Sequence, residues 1–234
     1  MTADRRPTTT TVPTDLGIAL TAAMADIHRR GWCDGTGGNF SCVVSAEPLE
    51  LLMAPSGVHK GRVLPQELIR VNGEGVVIDG HGSASAETAL HLEIVRTCAA
   101  GAVLHTHSQA GTLLSQWALE AGADGHTSPP VDDGRLTLAG LEMLKGLEGI
   151  RSHDVAVELP VLANDQDLPR LAARARPRLA GAPQGLLIAG HGLYAWGRDL
   201  NTAQRHLEIL EFLLEQRWRR LLLDALTGRP SPPG

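Results

Sequence analysis

Two histidines near the middle of the chain, His105 and His107, are separated by a single threonine. They follow the apolar run Ala102-Val103-Leu104, which reads as a buried strand. Side chains alternate along a strand, so both imidazoles project from one face. Two neutral imidazoles converging on a point begin a divalent-metal site, most often one for zinc. Such a pair also occurs as ordinary core or surface histidines, so a further donor is needed. His191 supplies a candidate: it ends the hydrophobic run Leu186–Ala189 and sits between Gly190 and Gly192, which permit close backbone approach.

Three small-residue loops accompany the histidines: Gly35–Ser41, Ala54–Gly61 and Ser83–Glu87, the last running into a helix start. Glycines free backbone N–H groups, hydroxyls donate hydrogen bonds, and a helix N-terminus adds a positive dipole end; together they can cradle a phosphate. Taken singly each reads as a plain turn, but three in one domain beside an HxH pair point to a phosphorylated ligand. Lys60 would add a point charge. Two carboxylates are candidates for proton transfer. Glu87 opens the helix that leads into the histidine strand, and Glu142 begins another short helix. Each has the alternative reading of a solvated first-turn glutamate favoured by the helix dipole. The remaining histidines (28, 59, 81, 91, 126, 153 and 206) read as surface or supporting residues, and Tyr194 and Trp196 as packing.

The elements that must position these groups follow from periodicity. Apolar residues at helical spacing predict helices over about 16–30, 86–98, 109–120, 139–147, 167–180 and 199–225. Short runs bounded by Gly, Pro and Ser predict strands at 39–44, 51–54, 68–71, 76–78, 102–105, 136–138, 155–162, 186–189 and 193–196. The order predicts an α+β, three-layer αβα domain: a central, mainly antiparallel sheet flanked by helices. The single domain spans 14–225, with a disordered N-terminal tail at 1–13 and a flexible C-terminal tail at 226–234.

The 234 residues are 43% hydrophobic and 20% charged, a globular composition long enough for a full core. A formal charge of −5 and only 3% aromatic residues argue against nucleic-acid binding and against a charged membrane surface. No apolar run reaches the roughly 18–20 residues that span a bilayer. The N-terminal residues lack the apolar core of a signal peptide. Cys33, Cys42 and Cys98 show no paired spacing, which suits a reducing cytoplasm.

Taken in order, Gly38-Asn39-Phe40-Ser41, Pro55-Ser56-Gly57, Ser85-Ala86-Glu87, His105-Thr106-His107 and His191-Gly192 make the chain resemble the class II aldolase/adducin family over about residues 15–222. Gly140–Gly146 and His191–Gly197 are most similar to its methylthioribulose-1-phosphate dehydratase branch, which serves methionine salvage. That resemblance implies one zinc ion per subunit held by His105, His107 and His191. It implies Glu142 as the acid/base, with Glu87 as a fourth ligand or a second proton carrier. Gly38, Asn39, Ser56, Gly57, Lys60 and Ser85 would hold the C1 phosphate of the sugar. It further implies a cytoplasmic homotetramer in which a neighbouring chain can complete the site. Gly37 stands where many relatives carry serine, which removes one hydroxyl from the phosphate cradle, and the segment 117–135 has no clear counterpart. Three alternatives stay open. An aldolase or 4-epimerase of the same fold would rely on Glu87, an adducin-like binding module would have lost catalysis, and the histidines would otherwise be structural.

Overall fold

A computed structural model describes residues 14–121 and 133–228. The expected tail at 1–13, most of the expected tail at 226–234, and the greater part of 117–135 lie outside these. The chain opens with α1 (Thr14–Arg29), β1 (Asn39–Ala46), β2 (Leu49–Met53), β3 (Ile69–Asn72) and β4 (Val77–Asp79). Then come α2 (Thr88–Cys98), β5 (Ala102–Thr106), α3 (Gln109–Ala121), β6 (Asp133–Ala139) and β7 (Ala156–Leu162). It ends with α4 (Leu168–Leu179), β8 (Gly185–Ile188), β9 (Gly192–Gly197) and α5 (Leu200–Thr227). The strands form one sheet in the order β4-β3-β2-β1-β5-β9-β8-β7-β6. Every pairing is antiparallel except β7 with β8.

Period-2 alternation splits the core into two layers of side chains. Leu52, Leu104, Leu187, Leu193 and Ala195 pack with the buried faces of α1, α3 and α5. Their sequence neighbours Leu51, Met53, Val103, Leu186, Ile188, Tyr194 and Trp196 pack with α2 and α4. The three-layer expectation is met, because both sheet faces carry apolar residues that only helices can cover. Both layers are drawn from single continuous strands. A one-residue slip in β5 would therefore exchange Leu104 with Val103 and turn His105 to the opposite face.

Two boundaries differ from expectation for local reasons. The helix expected at 139–147 is instead the end of β6 followed by a tight helical turn, Glu142–Gly146. Gly140, at a φ of +70°, breaks the chain between them. The last helix runs on to Thr227, where Gly228 at φ +63° caps it by donating its N–H to Asp224.

The pairing also fixes which ends of the strands lie together. Thr106 faces Leu193, Ile188 faces Gly192 and pairs with Leu162, and Leu162 faces Asp133. The end of β5, the start of β9 and the start of β6 therefore share one end of the sheet. Ala139 closes β6 at the other end, about 20 Å away at a rise of about 3.3 Å per residue.

Candidate metal centre and active site

β5 delivers His105 on the α2 side of the sheet, and His107 follows just past the strand end, where its N–H donates to the Trp32 carbonyl at 2.7 Å. The turn between β8 and β9 delivers His191. Gly190 there adopts φ +64°, and Gly192 sits so close to β5 that a Cβ would lie 1.9 Å from the Thr106 carbonyl oxygen. No other residue fits at Gly192, so the tight pairing that brings His191 to the histidine pair depends on it. α3 fastens the same turn: the Thr112 hydroxyl donates to the His191 carbonyl at 3.1 Å, and the Gly190 N–H donates to Ser115 at 3.2 Å. Glu87 stands at the N-cap of α2 and turns its carboxylate inward.

Among the described residues, Glu87, His105, His107 and His191 form a group whose ligand atoms all lie within 4.8 Å of one another. His105 Nε2 is 2.8 Å from His107 Nε2 and 3.4 Å from His191 Nε2. Glu87 Oε1 is 2.9 Å from His191 Nε2 and 3.6 Å from His105 Nε2. A tetrahedral ion bound at about 2.0–2.1 Å separates its ligand atoms by about 3.3 Å, so this donor set fits one. His105 Nδ1 lies 3.0 Å from the Leu193 carbonyl. That bond fixes the ring with Nδ1 as donor, leaving the Nε2 lone pair for a cation.

The electrostatics suit the same role. Burial holds His105 well below the ordinary imidazole range and lowers His107 as well, so both present neutral rings. Burial acts to raise the Glu87 carboxyl. The hydrogen bond with His191, the facing His105 ring and Asn39 outweigh it and hold the group far below the usual carboxylate range. Glu87 is thus an ionised, nearly buried carboxylate, and the solvated first-turn reading fails for it.

The three small-residue loops meet beside this group. Gly38, Asn39, Ser56, Lys60, Ser85 and Glu87 line a cleft of about 150 Å³, with His107 at its edge. Gly57 lines it too. The Lys60 side chain is buried, and its Nζ donates to the carbonyls of Thr36 at 2.9 Å and Val58 at 3.0 Å. Burial lowers its pKa. Asn39, opposite His105 in the β1–β5 register, donates to Glu87 and to Ser85 Oγ. Glu142 is not brought to this place. It lies past Ala139, at the far end of the sheet, with its side chain 67% exposed and bonded to Lys145, His153 standing 3.5 Å away.

Two supporting residues escaped the sequence reading. Tyr194, taken for packing, faces His105 across β9 and stacks on its ring at 3.9 Å and 12°. Its strand position opposite the first histidine was the available signal. Glu211 on α5 has no signal in sequence. It is 3% exposed and accepts a hydrogen bond from Thr106, the residue between the two histidines, and one from Ser108. Burial raises its carboxyl to about 7.

Residues 18–218 match the family described as class II aldolase and adducin N-terminal domain. The methylthioribulose-1-phosphate dehydratase of Gluconobacter oxydans is 42% identical over 196 residues, 83% of this chain and 87% of that protein. The enzyme of that name from Pectobacterium carotovorum is 40% identical over 210 residues, covering 88% and 95%. The structure of the L-fuculose-1-phosphate aldolase from Thermus thermophilus superposes with a TM-score of 0.68 at 25% identity, covering 94% of this chain and all of the other. No helix among the described residues is long and apolar enough to cross a membrane. With the ordered loops and the His/Glu group assembled on this sheet, the chain belongs to the class II aldolase/adducin family.

Proposed function

We propose that the protein is a hydro-lyase that dehydrates 5-methylthioribulose 1-phosphate to the corresponding 2,3-diketone phosphate. The observation that carries the reading is the His105–His107–His191–Glu87 group beside a phosphate-sized loop cleft, in a chain about 40% identical to dehydratases of that name. His105, His107 and His191, with Glu87, would hold one zinc ion. Bound there, the ion supplies Lewis acidity toward the carbonyl and hydroxyl oxygens of a 2-keto sugar.

The remaining roles belong to the chain. Ser56, Ser85 and the Gly38-Asn39 and Gly57 turns receive the C1 phosphate, with Lys60 as the positive charge at the wall. Its bonds to Thr36 and Val58 hold the ammonium in place before substrate arrives, so little ordering remains on binding. The C3 proton passes to a base and the C4 hydroxyl departs with one proton, so that one water is lost in all, and the resulting enol ketonises by taking a proton at C4. Glu142 is the acid/base that delivers the proton to the departing C4 hydroxyl. Because it stands at the far end of its own sheet, we read it as acting in the site of a neighbouring subunit of a homotetramer.

Incubation of zinc-loaded protein with 5-methylthioribulose 1-phosphate should give a product lighter by one water in mass spectrometry. Intact substrate, with cleavage of fuculose 1-phosphate to dihydroxyacetone phosphate instead, would replace this reading by the aldolase one.

A further inference from the structure

The phosphate cleft reaches the metal group at Glu87 and His107, and a second cavity touches it at His107 and His191. It measures about 510 Å³ and is lined by His107, Gln109, Thr112, Leu113, Gly190 and His191. His107 borders both spaces, so the two adjoin at the same imidazole. Leu113 is the one apolar side chain in this second lining, and it is 44% exposed. It lies on the first turns of α3, whose Thr112 and Ser115 already clamp the His191 turn. The exposed Leu113 is therefore fixed to the same frame as the metal group. One helical turn on, at the i+4 position, Trp117 is 39% exposed, with the Arg217 guanidinium over its ring at 5.7 Å. Leu113 stands open beside His107 and His191, and among the described residues it belongs to neither core cluster.

We propose that Leu113 is the specificity-determining residue that receives the apolar C5 substituent of the substrate. The inference rests on the dehydratase reading above. If C1 carries phosphate into the Ser56–Ser85 cleft and the C2 and C3 oxygens face the His/Glu group, C4 and C5 must leave on the remaining side. That side is the cavity walled by Leu113. A methylthio group needs no hydrogen bond there and gains from removing both its own surface and that of Leu113 from water. A substrate with a bare methyl at C5 buries less, and one with a hydroxyl leaves that hydroxyl facing a leucine.

The test compares kcat/KM for 5-methylthioribulose 1-phosphate and 5-deoxyribulose 1-phosphate, which differ only in the sulfur-bearing group. The ratio of the two is measured in the zinc-loaded wild type and in Leu113→Gln, Leu113→Ala and Leu113→Met. One extra group in an apolar pocket is worth about 10–200-fold in such a ratio. Leu113→Gln should therefore lower it about tenfold or more, Leu113→Ala should lower it less, and Leu113→Met should hold it within about threefold. Zinc stoichiometry and subunit mass are recorded for each protein. A ratio unchanged in Gln and Ala overturns the inference while leaving the dehydratase reading standing. An unchanged ratio with loss of oligomeric mass overturns it in favour of a subunit contact at Leu113. A wild type that dehydrates neither substrate strikes the dehydratase reading itself.

Discussion

The two ends of the central sheet hold one candidate catalytic carboxylate each, and they are built in opposite ways. At the β5–β9 end, Glu87 is nearly buried, shares its oxygens with His191 and Asn39, and is held ionised far below its ordinary range. At the far end, Glu142 projects into solvent from a single helical turn; Lys145 is its first partner and lowers its pKa by a surface hydrogen bond. One carboxylate is finished within its own chain. The other has Lys145 and His153 as its ion-pair partners among the described residues. An ionised carboxylate locked among imidazoles makes a good ligand and a poor proton donor, whereas an exposed one can exchange protons with a group that meets it. On the proposed reading, Glu87 would hold the ion and Glu142 would move protons.

The sharpest way to break that division begins at the completed end. His191→Ala removes one of the donor atoms from a group whose fit to a tetrahedral ion depends on all of them. Zinc measured by elemental analysis after chelation and reloading should fall well below one per chain, and turnover should drop by at least ~10³-fold, the several kcal/mol that a Lewis acid supplies. A variant that keeps stoichiometric zinc and near-normal turnover would show that the His/Glu group is not the metal centre.

Glu142→Gln probes the other end. It should retain full zinc yet lose about 10²–10⁴-fold in turnover, the range for a missing general acid/base. Mixing then decides whose site it serves. Unfolded and co-refolded His191→Ala and Glu142→Gln subunits each lack one half of the machinery. If Glu142 acts across an interface, mixed oligomers contain sites with both halves intact and recover part of the wild-type rate. Recovery that never exceeds the sum of the two parents would show that Glu142 does not serve a site across an interface.

How much of this was legible in the sequence follows the same divide. His105, His107 and His191 could be read because strand alternation and the flanking glycines are local features, and the structure brings the three together. The loops around Gly38, Ser56 and Ser85 were legible by composition. The separation of Glu142 from the cluster was not, because it depends on β6 running antiparallel to β7 at the sheet edge, a long-range pairing with no local signature. Glu87 as a buried ligand was equally open, since a helix-start glutamate is solvated or buried according to what faces it. Here β1, through Asn39, is what faces it.

Glu211 supports the completed end from the face opposite the metal group, and its titration offers the finest test of how that end is built. Its carboxyl stands near 7 in the folded protein, against an ordinary 4.5, because it is fully buried. Below about pH 4.5 the group is protonated folded or unfolded and carries no penalty. Between there and about pH 7 only the unfolded chain ionises it, so folding stability declines as pH rises. Above 7 the loss is complete, at most ~3 kcal/mol. Glu211→Gln keeps the shape and an acceptor for the Thr106 hydroxyl but cannot ionise. The difference in melting temperature between Glu211→Gln and wild type, measured with metal chelated, should therefore move in favour of the variant from pH 5 to pH 8. A difference that stays flat would mean that the hydroxyls of Thr106 and Ser108 stabilise the carboxylate enough to cancel its burial. The rear of the histidine strand would then be a charged anchor, as fully satisfied as Glu87 on its front.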